Sequence, residues 1–560
     1  MMIVVNNMIA QVEERLLAAI TTSLRQSLKE VEADVDYAQL PEIEIEVPRE
    51  KEHGDYASNV AMVMARYFQE SPRDVAGRLA DNFNCELVKE VEIAGPGFIN
   101  FFLDNSWLHE CLQLIIDRGK DYGRIDVGQG ESIQIEFVSA NPTGPLHAGH
   151  SRGAVVGDIL ASILDNAGYD VEREYYINNV GNQINVLGSS LQIRYRQQCG
   201  EEVDLPEEAY SGAYLIDYAA DLHAEYGDKL LERSEEEQKE FFCDYAYKRI
   251  LRRIKTDLKN FGIEFDSWFS ERQLHSGKIS AAIDQIRDEG YIYEKDEALW
   301  LESTAFGDDK DRVVIKSDGD YTYLAADIAY HLDKLERGYD GLINIWGADH
   351  HGYVSRVKAA VEALGYDEEV LEIILVQMVT LLRKGKKVSM SKREGNFVTM
   401  KDILEEVGRD AARYFYIMRS TDSHLDFDLE LAKEQSKKNP VYYIQYAHAR
   451  IQSIVDNADD INIEKKVELS LLQTEEEVEL MKLLARFPEE IKISAENRQP
   501  HYIAGYAHDL AGAFHQFYNT CRVITEDKNL TRARYFLVLA SRQVLRNVLE
   551  VLGVSAPDQM

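Results

Sequence analysis

The sequence predicts a multidomain α/β protein whose central domain is built on a parallel sheet. Its 560 residues exceed what one hydrophobic core supports, so about three domains are expected. In the middle of the chain, strand and helix patterns alternate as they do in parallel sheets, whereas the final part shows helical periodicity only. The predicted domains are therefore an α+β domain over 1–118, an α/β domain over 119–410 and an all-α domain over 411–560.

The first predicted domain begins with a helix and ends with a strand. Residues 12–28 carry apolar side chains at helical spacing. Near the end of the domain, the sequence Gly-Pro-Gly at 95–97 favours a turn, and the alternating aromatic run 98–103 is typical of a strand. Helical and strand signals in one short region indicate an α+β domain.

The second predicted domain opens with a strand–loop–helix–strand unit. Residues 133–137 alternate like a strand, and the loop 138–146 contains two prolines and a glycine. Apolar residues then recur at helical spacing over 156–167, and Gly168 stands where a helix C-cap belongs. The next strand begins at Val171. This order is that of a parallel-sheet unit.

The rest of the second domain and the third domain follow from the same patterns. The charged stretch 188–290 is predicted to be a helical insertion, after which strands resume at 341–346 and 373–376. In the third domain one face of 441–454 is apolar at helical spacing, and 535–552 forms a closing helix. The third domain is therefore predicted to be all-α.

The composition excludes several classes of protein. Apolar residues make up 45% of the chain, and no run of 18 apolar residues is present, so a membrane span is not expected. The N-terminus lacks a basic leader, and a cytoplasmic location is expected. The net charge of −36 describes solubility and does not exclude a local basic track for phosphates.

The cysteines give no support for a metal site or a disulfide framework. The chain has five cysteines, and none of them forms a C-x-x-C pair. We therefore expect reduced thiols and no zinc, and the sequence predicts no metal-binding residues. The five positions are Cys85, Cys111, Cys199, Cys243 and Cys521.

The tetrad His147-Ala148-Gly149-His150 is the strongest local signal for chemistry. It lies where the loop enters the predicted helix, and a helix N-terminus binds phosphate through its unpaired N–H groups. Gly149 allows a nucleotide to come close, and His147 and His150 can both donate to one phosphate group. Taken alone, the tetrad is also compatible with an ordinary histidine pair.

A basic segment is the second signal. Six of the eleven residues from 383 to 393 are Lys or Arg, in a chain of net charge −36. A mobile basic loop flanked by glycine is suited to closing over a triphosphate and neutralising departing pyrophosphate. In isolation, a solvated surface loop explains the segment equally well.

Together, the two segments resemble the paired HIGH and KMSKS motifs of class I aminoacyl-tRNA synthetases. Met390, Ser391 and Lys392 match the middle of the second motif. Ser389 stands where the family has its first lysine, and Lys386 and Lys387 are the candidates for its role. Some arginine-specific members carry a compensating lysine just before the HIGH motif. In this sequence that position is occupied by Gly144, so the compensating lysine is absent.

Longer strings are similar to arginyl-tRNA synthetases in particular. They lie at 136–150, 174–183, 346–352 and 439–450. The resemblance covers nearly the whole chain and implies a Rossmann-type catalytic domain with a helical insertion. It also implies an N-terminal domain that contacts the tRNA elbow and a C-terminal anticodon-binding domain.

The resemblance implies an ATP site built from several segments. His147, His150 and Lys392 would be the catalytic residues. The residues implied to form the HIGH region are Ala140, Asn141, Pro142, Thr143, Gly144, Pro145, Leu146, His147, Ala148, Gly149 and His150. Those implied to contact ATP are His147, Gly149, His150, Gly347, Asp349, His350, Met378, Val379, Met390, Ser391 and Lys392.

An arginine pocket is also implied. Tyr323 and Asp327 are four residues apart on a predicted helix, and therefore on one face. A guanidinium group carries five N–H donors and a permanent charge, so it requires acceptors such as the Asp327 carboxylate. By resemblance Ser139 and Asn141 hold the substrate's ammonium and carboxylate groups, and Glu136 contacts the substrate or shapes the pocket.

The two outer domains are implied to bind tRNA. Phe98 and Asn100 match an aromatic and an amide position that read a D-loop base, by stacking and by hydrogen bonding. Packing in the domain core is the competing interpretation. The candidates in the C-terminal domain are Tyr442, Tyr446, His448 and Arg450.

The expected substrates are ATP with Mg²⁺, L-arginine and tRNA(Arg). No DNA or membrane partner is expected, and the protein is expected to be a monomer.

Three alternative functions stay open at this point. They are a cysteine-specific synthetase, which normally has a zinc site; a small nucleotidyltransferase, which does not need the outer domains; and a non-catalytic tRNA-binding paralogue, which Ser389 leaves possible.

Overall fold

The computed structural model describes residues 7–32, 35–36, 39–388, 398–458, 461 and 467–560. Ser389 and the predicted ATP-binding residues Met390, Ser391 and Lys392 lie outside the described residues. In the part of the chain that is described, no helix has the length and apolar character needed to cross a membrane.

The N-terminal part packs helices on a small antiparallel sheet of order β1-β3-β2. The first helix begins after Asn7, whose side chain accepts a hydrogen bond from the N–H of Ala10 at 3.1 Å. The elements are α1 Met8–Glu30, β1 Tyr56–Ser58, α2 Val60–Phe68, α3 Pro72–Asn82, β2 Val88–Ala94, β3 Phe98–Leu103 and α4 Ser106–Arg118. Helical and strand elements thus share this region, as predicted from the sequence.

The central part is organised around a five-stranded sheet of order β11-β10-β4-β5-β6, in which every described pair is parallel. When these five strands are numbered 1 to 5 in chain order, their order across the sheet, starting at β6, is 3-2-1-4-5. This is the strand order of a doubly wound nucleotide-binding fold. The elements are β4 Ser132–Glu136, α5 Ala148–Asn166, β5 Asp170–Ile177, α6 Asn182–Gln198, α7 Ala213–Tyr226, α8 Glu235–Asn260, β6 Ser267–Ser270, α9 Lys278–Asp288, β7 Ile292–Lys295, β8 Ala298–Leu301, β9 Arg312–Ile315, α10 Tyr323–Glu336, β10 Gly341–Gly347, α11 Val354–Ala363 and β11 Leu371–Val376.

The stretch 188–290, predicted as a helical insertion, is not helical throughout. Its β6 strand pairs with β5 and forms an edge of the main sheet, with Tyr176 opposite Phe269. A strand of four residues is too short for its alternation to stand out from the charged helices around it. Helices α6, α7 and α8 remain outside the sheet, and we call them the insertion.

The C-terminal part is a helical bundle preceded by a short mixed segment. Residues 411–560 were expected to be all-α, but β14 lies within them and pairs in parallel with β12. Its partner β12 lies in the preceding region of the chain. The local sequence pattern around β14 therefore does not indicate a strand. The elements are β12 Val379–Arg383, β13 Lys386–Lys387, α12 Met400–Val407, α13 Arg409–Ile417, β14 Leu425–Asp428, α14 Leu429–Lys433, α15 Pro440–Asp456, α16 Glu475–Glu496, α17 His501–Thr520 and α18 Lys528–Val551.

The beginning of the basic segment is a hairpin. Strands β12 and β13 pair in antiparallel fashion, with Arg383 opposite Lys386. Lys384 and Gly385 form the turn, and both have positive φ, 52° and 71°. The exposed Lys386 and Lys387, candidates for the role of the family's missing lysine, therefore lie on a strand and not in the loop expected from the sequence.

Candidate active site

The main sheet opens a crevice at the carboxyl ends of β4 and β10. These strands are neighbours, but the chain passes from β4 towards β5 and from β10 towards β11. Because the two connections leave in opposite directions, the space between them is the usual ligand site of such sheets. Glu136 ends one strand and Gly347 ends the other.

Two histidines cap helix α5 at this edge. His147 is the N-cap residue, and its Nδ1 accepts a hydrogen bond from the N–H of Gly149 at 3.1 Å. The Nδ1 of His150 accepts from the N–H of His147 at 3.3 Å, and the two rings stack with centroids 3.7 Å apart. A neutral imidazole that accepts at Nδ1 carries its proton on Nε2. Each ring is therefore a hydrogen-bond donor at its Nε2 edge.

Helix α5 begins in a confined place. A Cβ atom added to Gly149 would lie 3.0 Å from ring atoms of His147, which is tighter than ordinary packing. His147 lies at the cap and His150 in the first turn, where the rings stack.

The residues that follow the basic segment are attached to the start of α5. The N–H of Ala148 donates to the carbonyl of Val398 at 3.0 Å, and the N–H of Met400 donates to the carbonyl of Leu146 at 2.8 Å. Lys392 lies outside the described residues. The chain nonetheless returns from the basic segment beside the capped helix.

The loop between β4 and α5 carries backbone strain. Val138 and Ser139 both have positive φ, 68° and 38°, which is rare for residues other than glycine and rarer still for a β-branched one. The N–H of Tyr176 donates to the Ser139 hydroxyl at 3.1 Å. The Asn141 amide donates to Gln183 Oε1 at 2.9 Å. Both predicted substrate-binding side chains are thus held by residues of the β5–α6 segment.

The predicted guanidinium pocket is centred on Asp327. Tyr323 is the first residue of α10 and is 61% exposed, with Asp327 one turn further along. The hydroxyl of Tyr353 donates to an oxygen of Asp327. Burial of the carboxylate raises the pKa of Asp327 to about 7, and the negative charges of Glu136 and Glu271 act in the same direction. A cation bound at this position would offset both effects.

Glu136 is already paired inside the protein. Its Oε2 accepts a hydrogen bond from Lys334 Nζ at 2.6 Å, and the same ammonium donates to Asn344 Oδ1 at 2.9 Å. The lysine side chain is fully buried. This arrangement favours the second of the two predicted roles of Glu136, which is to shape the pocket.

The predicted adenosine-binding residues surround the other side of the crevice. A Cβ atom on Gly347 would lie 2.4 Å from an oxygen of Asp349, whose exposed side chain would have to move to make room for it. Asp349 and His350 are exposed. Met378 is also exposed and Val379 is buried, which leaves backbone atoms as the usable groups of Val379.

Comparison with protein families and with known proteins agrees with this geometry. The family model "tRNA synthetases class I (R), catalytic domain" matches residues 112–451. "Arginyl tRNA synthetase N terminal domain" matches 18–103 and "DALR anticodon binding domain" matches 444–560. An arginine–tRNA ligase of Geobacillus kaustophilus is 50% identical over 562 residues, which cover 99% of this chain and 100% of the relative.

The chain belongs to the class I arginyl-tRNA synthetase family. A relative from Desulforamulus reducens is 51% identical over 533 residues, covering 94% of this chain and 95% of that protein. A solved structure titled putative arginyl-tRNA synthetase, from Campylobacter jejuni, has a TM-score of 0.76 at 38% identity and covers 82% of this chain and 100% of that one. The Thermus thermophilus arginyl-tRNA synthetase has a similar fold, with a TM-score of 0.72 at 22% identity over 97% of this chain and 100% of that one. The family and the fold class predicted from the sequence are confirmed.

The predicted elbow-contact residues of this synthetase lie on the small N-terminal sheet. Phe98 and Asn100 are both on β3, two residues apart and therefore on the same face. Phe98 is half-buried, whereas Asn100 is only 3% exposed between its neighbours Ala57 and Glu92. The structure thus supports Phe98 as an accessible contact more strongly than Asn100.

Three of the four predicted C-terminal residues form an aromatic and basic cluster. The rings of Tyr442 and Tyr446 stack at 6.2 Å. The Arg450 guanidinium lies 4.7 Å from the ring centroids of both Tyr446 and Tyr518. Tyr446, Arg450, Tyr518 and the terminal Met560 line a cavity of about 1030 Å³. Stacking surfaces with cations are suited to unpaired bases.

His448 does not fit its predicted role in tRNA binding. The residue is fully buried. Its Nδ1 donates to the carbonyl of Pro557 at 2.8 Å, and its Nε2 accepts from Arg546 Nε at 3.0 Å. Both ring nitrogens are used inside the bundle, because His448 lies on the same face of α15 as the core residue Ile444.

Several residues that shape the crevice were not predicted from the sequence. Tyr353 contacts Asp327, Lys334 neutralises Glu136, and the charge of Glu271 reaches the pocket. Tyr353 is 26 residues from Asp327 in the sequence, and Lys334 is 198 residues from Glu136. No local spacing connects such positions. Gln183, by contrast, closes one of the strings that resemble the family.

Proposed function

We propose that the chain activates L-arginine with Mg-ATP and transfers the arginyl group to tRNA(Arg). The observation that carries this proposal is the half-buried carboxylate of Asp327, which accepts a hydrogen bond from the Tyr353 hydroxyl and has a raised pKa. Such a group binds a permanent cation in preference to a neutral side chain. In this proposal Tyr323 forms the outer wall, and Ser139 and Asn141 hold the α-ammonium and carboxylate groups.

In the first step the arginine carboxylate attacks the α-phosphorus of ATP, and the bond to the pyrophosphate oxygen breaks. The Nε2 donors of His147 and His150, together with the N-terminus of α5, stabilise the charge that develops on the phosphate oxygens. Gly347, Asp349 and His350 bind the adenosine, with backbone groups of Met378 and Val379 at the adenine. Lys392 neutralises the departing pyrophosphate.

In the second step a ribose hydroxyl of the terminal adenosine of tRNA attacks the arginyl carbonyl, and AMP leaves. We assign this to the 2′-hydroxyl. Neither step forms a covalent bond to the protein, so catalysis consists of positioning and electrostatic stabilisation. Phe98 would stack on a base of the tRNA elbow, and Tyr442, Tyr446 and Arg450 would contact the anticodon region. We also propose that the enzyme acts as a cytoplasmic monomer.

Pyrophosphate exchange tests the proposal. Exchange between ATP and labelled pyrophosphate is expected with arginine alone among the amino acids. We further expect that it requires added tRNA. Exchange with another amino acid, or none at any salt concentration, would contradict the proposed activity. Exchange with arginine in the absence of tRNA would retain the activity but reject its dependence on tRNA.

Replacing His150 separates its catalytic role from its role in capping α5. In His150→Gln the amide can still accept the N–H of residue 147, as in an ordinary capping box. The NH₂ group of Gln is bonded to the same carbon as this accepting oxygen, so it does not lie where the imidazole Nε2–H lies. Exchange should therefore fall by about 10²–10³-fold, the usual effect of losing one correctly placed donor. His150→Ala should lose the same activity and about 1 kcal/mol of stability as well. An unimpaired Gln variant would remove His150 from the mechanism.

A further inference from the structure

Three side chains with different donor atoms meet at the far end of the insertion. The thiol of Cys199, a ring nitrogen of His223 and a carboxylate oxygen of Asp228 all lie within 4.8 Å of one another. His223 Nε2 is 3.4 Å from an Asp228 oxygen. Cys199 follows the last residue of α6, whereas Gln183, at the crevice, is in its first turn. These positions are about 24 Å apart along a helix, so the cluster is separate from the proposed catalytic site.

The backbone around this cluster is held by buried groups. Tyr195 is fully buried, and its hydroxyl donates to the carbonyl of Gly227, next to Asp228. Leu230, two residues further on, is 1% exposed. The N–H of Gly227 also donates to the carbonyl of His223 at 2.8 Å, which closes α7. The turn that carries Asp228 is therefore fixed against the end of α6.

We propose that Cys199, His223 and Asp228 form a zinc-binding site that links the ends of α6 and α7. The three side chains supply one sulfur, one nitrogen and one oxygen ligand, a set that suits Zn²⁺ and excludes Mg²⁺ and Ca²⁺ as preferred ions. The fourth coordination position is left to solvent.

The separation of His223 and Asp228 is compatible with tetrahedral coordination, and the thiol lies within 4.8 Å of both. Two ligands about 2.1 Å from zinc at a tetrahedral angle are roughly 3.4 Å apart, and a thiolate adds only about 0.2 Å. The His223–Asp228 separation of 3.4 Å has this value already. The His223 and Asp228 side chains are 39% and 72% exposed, so an ion can enter from solvent.

Binding must displace a proton from the thiol. Zinc binds the thiolate and releases that proton. The affinity should therefore fall as the pH is lowered. No spacing of cysteines predicts this site, because its ligands come from two helix ends and only one is a cysteine.

Cobalt(II) is the probe for this site because its absorption reports its ligands. Titration of the full-length protein with Co²⁺ should produce a thiolate-to-cobalt charge-transfer band in the near ultraviolet, and Zn²⁺ should abolish it. Cys199→Ser should remove that band. His223→Ala and Asp228→Asn should each weaken Co²⁺ binding by about tenfold or more.

The matched control is Cys85→Ser, which changes another partly exposed cysteine and should leave the Co²⁺ spectrum intact. Circular dichroism of each variant without metal checks that the variant is folded. If Cys199→Ser does not fold, Asp228→Asn provides the test in its place. Zn²⁺ should also raise the unfolding temperature of the unmodified protein but not that of His223→Ala. A charge-transfer band that survives in Cys199→Ser, or its absence from the unmodified protein, would overturn the proposal. Neither result bears on arginine activation.

Discussion

At the scale of single residues, the crevice depends on two carboxylates that have different surroundings. Asp327 has a hydroxyl partner in Tyr353 but a raised pKa, whereas Glu136 is paired with the buried Lys334. A buried carboxylate that lacks a cation costs free energy until one binds. The two carboxylates therefore have different roles, one open to a ligand and the other structural.

The raised pKa of Asp327 predicts a pH dependence of arginine binding. A guanidinium binds the ionised carboxylate, so binding lowers the pKa of Asp327 from about 7, and affinity increases as pH rises through that value. Below pH 7 the KM for arginine should rise, by at most about tenfold per pH unit. Exchange assays between pH 5.5 and 8.5 measure this. Asp327→Asn should bind arginine poorly with a flat profile, and an unchanged slope in that variant would assign the titration to another group.

At the scale of elements, helix α5 is fixed by close packing against the end of β4. A Cβ atom added to Gly157 would lie 2.3 Å from the ring of Phe137, which is fully buried. One turn earlier, a Cβ atom on Gly153 would have nothing within 4 Å. The approach of α5 to the sheet therefore requires glycine at position 157 but not at position 153.

This difference predicts opposite effects of the same substitution. Gly157→Ala should destabilise the protein by about 1–3 kcal/mol, because the added methyl group would overlap the fully buried ring of Phe137. Gly153→Ala should stabilise it by up to about 1 kcal/mol, since alanine is the better helix former. Urea denaturation of the two variants provides the comparison. Equal shifts in midpoint would show that packing against Phe137 does not determine the position of α5.

At the scale of the whole molecule, Arg413 joins three parts of the chain. Its guanidinium donates to Asp158 on α5, to the carbonyl of Phe261 after α8 at 3.3 Å, and to the carbonyl of Leu552 after α18 at 3.0 Å. The side chain is 1% exposed. Helix α5, the insertion and the C-terminal bundle thus share one buried cation, which fixes their mutual orientation.

Removing this cation should cost more than removing the whole ion pair. Arg413→Met leaves Asp158 buried without a counter-charge, and we expect a loss of about 3–5 kcal/mol. Adding Asp158→Leu should recover part of that loss, because no charge then remains unpaired. Thermal unfolding of the single and double variants measures the difference. If the double variant were less stable than Arg413→Met, the ion pair would not be the dominant contribution.

The sequence by itself determined the family, the fold class and the most strongly periodic elements. Helical and strand periodicities are local properties, so they identify α5, β4 and the terminal helices without a structure. The strings around His147 and Asp349 are similarly local. Residues such as Gln183 were therefore available from resemblance even where no physical argument singled them out.

Only the tertiary structure decided which distant residues meet. It placed β6 and β14 in sheets, buried His448 in the bundle, and brought Tyr353 to Asp327. It also gathered Cys199, His223 and Asp228, where cysteine spacing had indicated no metal site. The physical reason is the same in each case. Periodicity records which face of an element is apolar, but burial, charge pairing and ligand geometry depend on which other segment packs against that face.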